Sequence, residues 1–176
     1  MANYKKTTSM RIWILILSIW TLSCSWTETL GQGLEIYLVK HDYPDFTKKH
    51  SDSSCYYCFK PIKFDLFDSA LIKQCDIEYF DWKSQVIKLN ESGLKKLKAL
   101  KIPLQGLAAT IVIDKEPVYG FWFWNVVSSF GCDWVCTYPD LGFKLEFGLP
   151  AGNTKGKDPR FDKMIDDYII KTRLKK

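Results

Sequence analysis

The chain has 176 residues, of which 47% are hydrophobic and 26% are charged, and its formal net charge is +5. The first 24 residues contain no acid and three of the 25 basic residues, so removing them leaves 22 basic against 20 acidic residues, a net charge of +2. A charge so close to neutral gives no argument for nucleic acid, and no nucleic-acid partner is predicted. The remaining length predicts one domain with its own core.

Residues 1–24 have the pattern of a secretory leader. Basic residues come first, the apolar run 12–17 follows, and Ser23-Cys24 gives a small-residue exit. The apolar part is short for the ~30 Å hydrocarbon core of a bilayer. We therefore expect export to the periplasm or cell envelope, where cysteines meet an oxidising environment.

The end of this leader, Thr21-Leu22-Ser23-Cys24, resembles a degraded bacterial lipobox in which Thr21 and Leu22 are swapped relative to the usual order. The resemblance implies that Cys24 is lipidated, becomes the mature N-terminus and holds the protein at a membrane, since several acyl chains anchor stably. Two alternatives stay open. One is ordinary cleavage near Ser23 or Ser25, and the other is an uncleaved signal anchor.

The segments after the leader predict a tether over 25–33, a domain over 34–149, and a linker with a C-terminal helix that packs on the domain over 150–176. Residues 34–39 alternate as a first strand, with Leu34, Ile36 and Leu38 on one face. Residues 40–54 are polar and predict a long loop. Residues 59–67 allow either a short strand or a helical turn.

The middle of the chain predicts a hairpin followed by a helix. Strands 77–80 and 86–89 flank a turn, and Asn90 is placed to cap a helix. The helical stripe consists of Leu94, Leu97 and Leu100, and Pro103 ends the helix.

The second half predicts more antiparallel strands and a last helix. Residues 107–113 are apolar on both faces apart from Thr110, which favours a strand covered on both sides. A turn over 114–117 leads to the aromatic strand 118–124, and 132–138 with 142–147 predict another hairpin. Asp158-Pro159 is expected to start the final helix, whose apolar stripe is Phe161, Ile165, Tyr168 and Ile169. The order predicts an α+β fold, a mainly antiparallel sheet with helices packed on one face.

Two local resemblances add to this interpretation. Residues 85–97 and 108–119, a strand, an Asn90-Glu91-Ser92-Gly93 helix start and an apolar strand, resemble a segment of the periplasmic head of the SecD family. That likeness implies a shared local fold and no translocase activity. Residues 120–124 and 128–134 are similar to small uncharacterised secreted lipoproteins of Gram-negative bacteria, a class that implies no particular chemistry.

The six cysteines offer three kinds of site. Apart from Cys24 they are Cys55, Cys58, Cys75, Cys132 and Cys136, an odd number that implies a free thiol or an intermolecular bond. The Cys55-Tyr-Tyr-Cys58 pair is a candidate for thiol-redox chemistry, and structural disulfides, local or to the other cysteines, are the alternative.

Zinc is the third kind of site. The two close pairs have the ligands for a four-thiolate site, and His41 and His50 are alternative ligands beside Cys55 and Cys58. Because an oxidising compartment works against free thiolates, no metal or other cofactor is predicted. Ser128-Ser129 lacks a nucleophile-elbow context, and no catalytic residue is predicted.

The aromatic strand gives the candidate binding residues. Tyr119, Phe121 and Phe123 point to one face and Trp122 and Trp124 to the other. If a second layer covers the sheet, both faces pack in a core. If none does, Tyr119, Trp122, Trp124 and Trp134 form an exposed face for an envelope protein, an extended peptide or a glycan. The sequence thus favours a lipid-anchored, non-catalytic binding or structural module. The alternatives are a thiol-redox protein and a structural zinc site.

Overall fold

The computed structural model describes residues 32–40 and 55–176. The predictions for the leader, Cys24, most of the tether and loop residues 41–54 lie outside these ranges. The described strands are β1 (Leu34–Leu38), β2 (Ile77–Asp81), β3 (Val86–Leu89), β4 (Leu107–Ile113), β5 (Glu116–Phe123), β6 (Cys132–Thr137) and β7 (Glu146–Leu149). The two α-helices are α1 (Glu91–Lys98) and α2 (Lys163–Lys171).

Five strands form one sheet in the order β1-β4-β5-β6-β7, and β2 pairs with β3 separately. All neighbours are antiparallel except β5 and β6, which run parallel. The predicted α+β fold with a mainly antiparallel sheet is therefore confirmed. The predicted hairpins 77–89 and 132–147 are present as β2–β3 and β6–β7, with the last strand displaced toward the C-terminus.

One face of the sheet carries the larger core. Phe121 and Phe123 of β5 pack there with Leu97 of α1 and with Ile165 and Ile169 of α2. Both helices and the β2–β3 hairpin thus lie on this face, as predicted. Leu34 and Ile36 of β1 belong to the same core, because alternate residues of a strand share a face.

The opposite face is covered by the segment 55–72, which has little regular structure. Tyr57, Phe59 and Leu66 pack against Trp122 and Trp124. Within 59–67, Lys63–Asp65 forms a 3₁₀ turn and Leu66 forms an isolated antiparallel bridge with Val39, so each alternative is present in part. This second layer explains why β4 is apolar on both faces, since each face lies against a core.

Helix α1 begins as predicted, because the Asn90 Oδ1 atom accepts a hydrogen bond of 3.0 Å from the Gly93 amide. The Asn90 side chain also donates to the Cys75 carbonyl at 2.7 Å and so ties the helix start to the preceding segment. The predicted stripe is incomplete: Leu97 is buried, but Leu94 is exposed. The helix ends at Lys98, well before Pro103.

The C-terminal predictions need two corrections. Helix α2 is capped by Asp162, whose Oδ1 atom accepts from the Met164 amide at 2.8 Å. Asp158 does not start it, because its carboxylate instead binds the Arg160 guanidinium. Residues 150–157 are also more than a linker, since the Lys155 amide donates to the Asp133 carbonyl and fixes the segment against β6.

The turn before β5 is shorter than predicted. Asp114 and Lys115 alone form it, both with positive φ, and β5 begins at Glu116. This geometry matches the two-residue turns that suit the twist of antiparallel strands. Neither helix within residues 32–40 and 55–176 has the length and apolar composition that crossing a bilayer requires.

Candidate functional site

The predicted exposed aromatic face is not present. Tyr119 is 4% exposed and Trp122 and Trp124 are fully buried. Trp134 is half-buried and packs on Phe147. The alternation of β5 is as predicted, but both of its faces are core, so the prediction of a binding face at these residues is wrong.

The polar groups of two of these indoles are used inside the protein. Trp122 Nε1 donates to the Tyr57 carbonyl at 2.8 Å, and Trp134 Nε1 donates to the Gly120 carbonyl at 2.8 Å. Tyr57 also lies edge-on to Trp122 and Trp124, with ring centroids 5.3 and 5.0 Å apart. These aromatic groups therefore attach the segment 55–72 to the sheet rather than offering a surface to a ligand.

Cys55 and Cys58 form a disulfide that closes the start of that covering segment, with their Cα atoms 5.5 Å apart. Cys55 is buried and Cys58 is half-buried. The Cys58 amide donates to Cys55 Sγ at 3.2 Å, so the backbone turns back on the sulfur.

The carboxylate of Asp133 holds this disulfide loop to β6. It accepts hydrogen bonds from the Tyr56 amide at 2.8 Å and the Tyr57 amide at 2.9 Å, and it is itself buried. Its Oδ1 atom lies 3.4 Å from Cys55 Sγ. A negative charge at that distance disfavours a Cys55 thiolate, which is the opposite of what activates the attacking thiol of a redox pair.

Cys132 and Cys136 are both buried in the second core, and the Cys132 thiol is within hydrogen-bonding reach of the Cys136 thiol. Burial, and then the contact with Cys136, raise the pKa of Cys132 above its usual range. Neither cysteine is part of a disulfide, so Cys132 and Cys136 are a buried thiol pair.

The zinc alternatives find no support in the described part of the chain. Cys55 and Cys58 are joined to each other, so the four-thiolate site is wrong for this structure. Residues 32–40 and 55–176 contain no group of three or more His, Cys, Asp or Glu side chains arranged to hold a metal ion. His41 and His50 lie outside the described residues. Cys75 is exposed and lies outside the disulfide.

A surface that sequence reasoning missed lies at one end of the sheet. The loop before β4 and the loop after β5 meet there, because Leu107 pairs with Phe123. Four large apolar side chains on these loops are between 46% and 76% exposed, and we call them the apolar cap: Leu104, Val126, Val127 and Phe130.

Side-chain to backbone hydrogen bonds join the two loops of the apolar cap. Ser128 Oγ donates to the Leu104 carbonyl at 2.6 Å, and Asn125 Nδ2 donates to the Ile102 carbonyl at 2.8 Å. Beneath them, Gly106 lies directly against the Trp124 ring, where a Cβ atom would be 2.8 Å from the ring. In the sequence, the apolar cap is indicated only by the apolar pair Val126-Val127 between two strands. Such a pair does not show whether its side chains are exposed or buried.

Comparison of the chain with models of protein families, with curated proteins and with solved structures gives no match. The resemblances to the SecD head and to secreted lipoproteins stay predictions.

Proposed function

We propose that this chain is an exported domain of the cell envelope, anchored by a lipid on Cys24, that acts as a non-catalytic binding or structural module. The observation that carries the proposal is the Cys55–Cys58 disulfide, whose loop anchors the layer that covers the second face of the sheet. Disulfides of this structural kind persist in oxidising compartments and are rare where thiols are kept reduced. The leader pattern of residues 1–24 is consistent with the same location.

The surroundings of the disulfide favour a structural role over redox catalysis. Asp133 disfavours a thiolate at Cys55, and its two amide hydrogen bonds fix the loop in place. A thiol-redox protein using Cys55 and Cys58 remains the alternative function.

Metabolic labelling with a fatty acid tests the anchor. The full chain and its Cys24→Ser variant are expressed in a Gram-negative host, and acyl incorporation and membrane association of both are measured. We expect label and membrane association in the parent chain, with the label lost in the variant. Equal labelling of both proteins, or labelling of neither, would exclude lipidation at Cys24.

Alkylation of the native protein tests the redox alternative. We expect Cys55 and Cys58 to stay unlabelled in the exported protein before and after mild reductant, because a structural disulfide resists reduction. As a positive control, unfolding in strong reductant must label both. Labelling of either residue after mild treatment of the folded protein would favour the redox function.

A further inference from the structure

The apolar cap is bordered by basic residues with no acid in the same segments. Residues 95–106 and 124–131 contain four lysines and no aspartate or glutamate. Lys96 pairs with the buried Asp76, whereas Lys95, Lys98 and Lys101 are exposed where α1 runs into the first cap loop. The acids near these segments are Glu91 in the first turn of α1 and Asp140, in the exposed 3₁₀ turn Pro139–Leu141 that contacts α1.

The backbone of the second cap loop is suited to an apolar environment. The Val127 amide donates to Asn125 Oδ1 at 3.1 Å, the Ser128 amide to the Asn125 carbonyl at 3.0 Å, and the Phe130 amide to Ser128 Oγ at 3.2 Å. An amide without a partner is costly in hydrocarbon, so internal bonding lowers the cost of moving the loop out of water. These three amides thus keep their hydrogen bonds when the valines and phenylalanine of the loop meet lipid.

We infer that the apolar cap docks on an anionic phospholipid surface, with Leu104, Val126, Val127 and Phe130 entering the headgroup region and Lys95, Lys98 and Lys101 facing the phosphates. Apolar side chains edged by lysines are the combination that binds the interface of an anionic bilayer. Charge complementarity favours this occupant over a neutral protein groove. The inference rests on the proposed envelope location, because only there would the domain face such a surface while tethered to it.

Hydrogen exchange on vesicles tests the inference with the full chain. The protein is bound to vesicles of phosphatidylglycerol or of phosphatidylcholine, the vesicle-bound fraction is isolated by flotation, and amide exchange is measured by mass spectrometry. We expect residues 102–106 and 125–130 to exchange more slowly on phosphatidylglycerol than on phosphatidylcholine, with α2 unchanged. Equal amide exchange rates of residues 102–106 and 125–130 on both kinds of vesicle and in the free protein would overturn the inference.

Matched variants separate the charge and apolar contributions. We expect the double variant Lys98→Glu, Lys101→Glu to lower the binding constant of the apolar cap for phosphatidylglycerol vesicles. The expected decrease is about fivefold for each charge reversed. Lys155→Glu with Lys157→Glu is the control pair of exposed lysines. Val127→Asp should abolish the protection of the cap amides against exchange on phosphatidylglycerol, whereas Ile170→Asp on the exposed side of α2 should leave it unchanged. If Val127→Asp alters the circular dichroism spectrum, Phe130→Ser is used in its place. Protection that survives both cap variants would contradict the inference.

Failure of this experiment is distinguishable from failure of the proposed function. Cap protection is compared between two lipids on protein with the same N-terminus, so the difference reports the cap and not the anchor. A lipidated Cys24 with an unprotected cap would refute the docking surface alone, and a protected cap on a chain without lipid would refute the anchor alone.

Discussion

At the scale of single residues, Asp133 is the side chain on which the second layer depends most. Its buried carboxylate holds two consecutive backbone amides and lies beside Cys55. Because a charged acceptor without water nearby is stable only when it is fully hydrogen-bonded, the disulfide loop and the carboxylate stabilise each other.

We predict that Asp133→Asn lowers the free energy of unfolding by ~1–3 kcal/mol, because the amide NH₂ group of Asn would face one of the two backbone donors. Urea unfolding without reductant measures the change. Asp140→Asn, at an exposed site, is the control and should be near neutral. Equal stability of the two variants would show that the Asp133 contacts contribute little.

Asp76 gives a pH-dependent prediction. Burial acts to raise its pKa, but hydrogen bonds from Lys96 and from the Lys73 amide outweigh this and hold the pKa below its usual value of 3.8. A carboxyl group with a depressed folded-state pKa contributes stability above its unfolded pKa and loses it as the pH falls through the folded value. Stability should therefore drop below about pH 4, and Lys96→Met should make that drop smaller, because without Lys96 the folded-state pKa of Asp76 rises toward its unfolded value and the two states then bind similar numbers of protons. Urea unfolding between pH 7 and pH 3 measures both, and parallel curves for parent and variant would contradict the prediction.

At the scale of elements, β5 and the segment 55–72 are in close contact at Gly120. Gly120 leaves the space that the Phe59 ring occupies, and a Cβ atom there would overlap the ring. Phe59 in turn lies edge-on to Trp122, with ring centroids 5.5 Å apart. The absence of a side chain at Gly120 is thus required by the second layer.

We predict that Gly120→Ala costs ~1–3 kcal/mol of stability, since overpacking forces shifts in a well-packed core. Combining it with Phe59→Leu should recover part of the loss, with a coupling energy of ~0.5–3 kcal/mol. Thermal or urea unfolding of the two single variants and the double variant measures it. Additive losses would mean that the two positions do not meet.

Local signals in the sequence predicted most elements. The Asn90 cap is decided by neighbouring residues, and it is confirmed. The pattern of β4, apolar apart from Thr110, predicts a strand covered on both sides, which is also confirmed. The predicted start of α2 is wrong because the sequence contains two start signals, Asp158-Pro159 and Asp162. They are distinguished only in the structure, where the Asp158 carboxylate binds Arg160 and Asp162 caps the helix.

The candidate site was less predictable, because exposure depends on contacts distant in sequence. The alternation of Trp122 and Trp124 was read correctly, but their burial results from residues 55–72, which have no periodic pattern. The exposure of the apolar cap is likewise set by how two loops meet, and Val127 in isolation has the composition of a core residue.

At the scale of the whole molecule, the cysteines divide into environments that the fold determines. Cys55 and Cys58 are bonded, Cys132 and Cys136 are buried, and Cys75 is exposed. We predict that a thiol reagent labels Cys75 in the native protein, whereas Cys132 and Cys136 react only on unfolding, because both are buried and burial also raises the pKa of Cys132. Peptide mass spectrometry of protein labelled with and without urea measures this, and rapid native labelling of Cys132 would contradict the described core.

The central claim, an exported module with a structural disulfide and a lipid at its N-terminus, is tested most directly by the mass of the mature protein purified from a Gram-negative host. Peptide mapping should find a chain that begins at an acylated Cys24 and contains a Cys55–Cys58 disulfide. A chain that keeps residues 1–23, recovered from the cytosol with Cys55 and Cys58 both reduced, would contradict the claim.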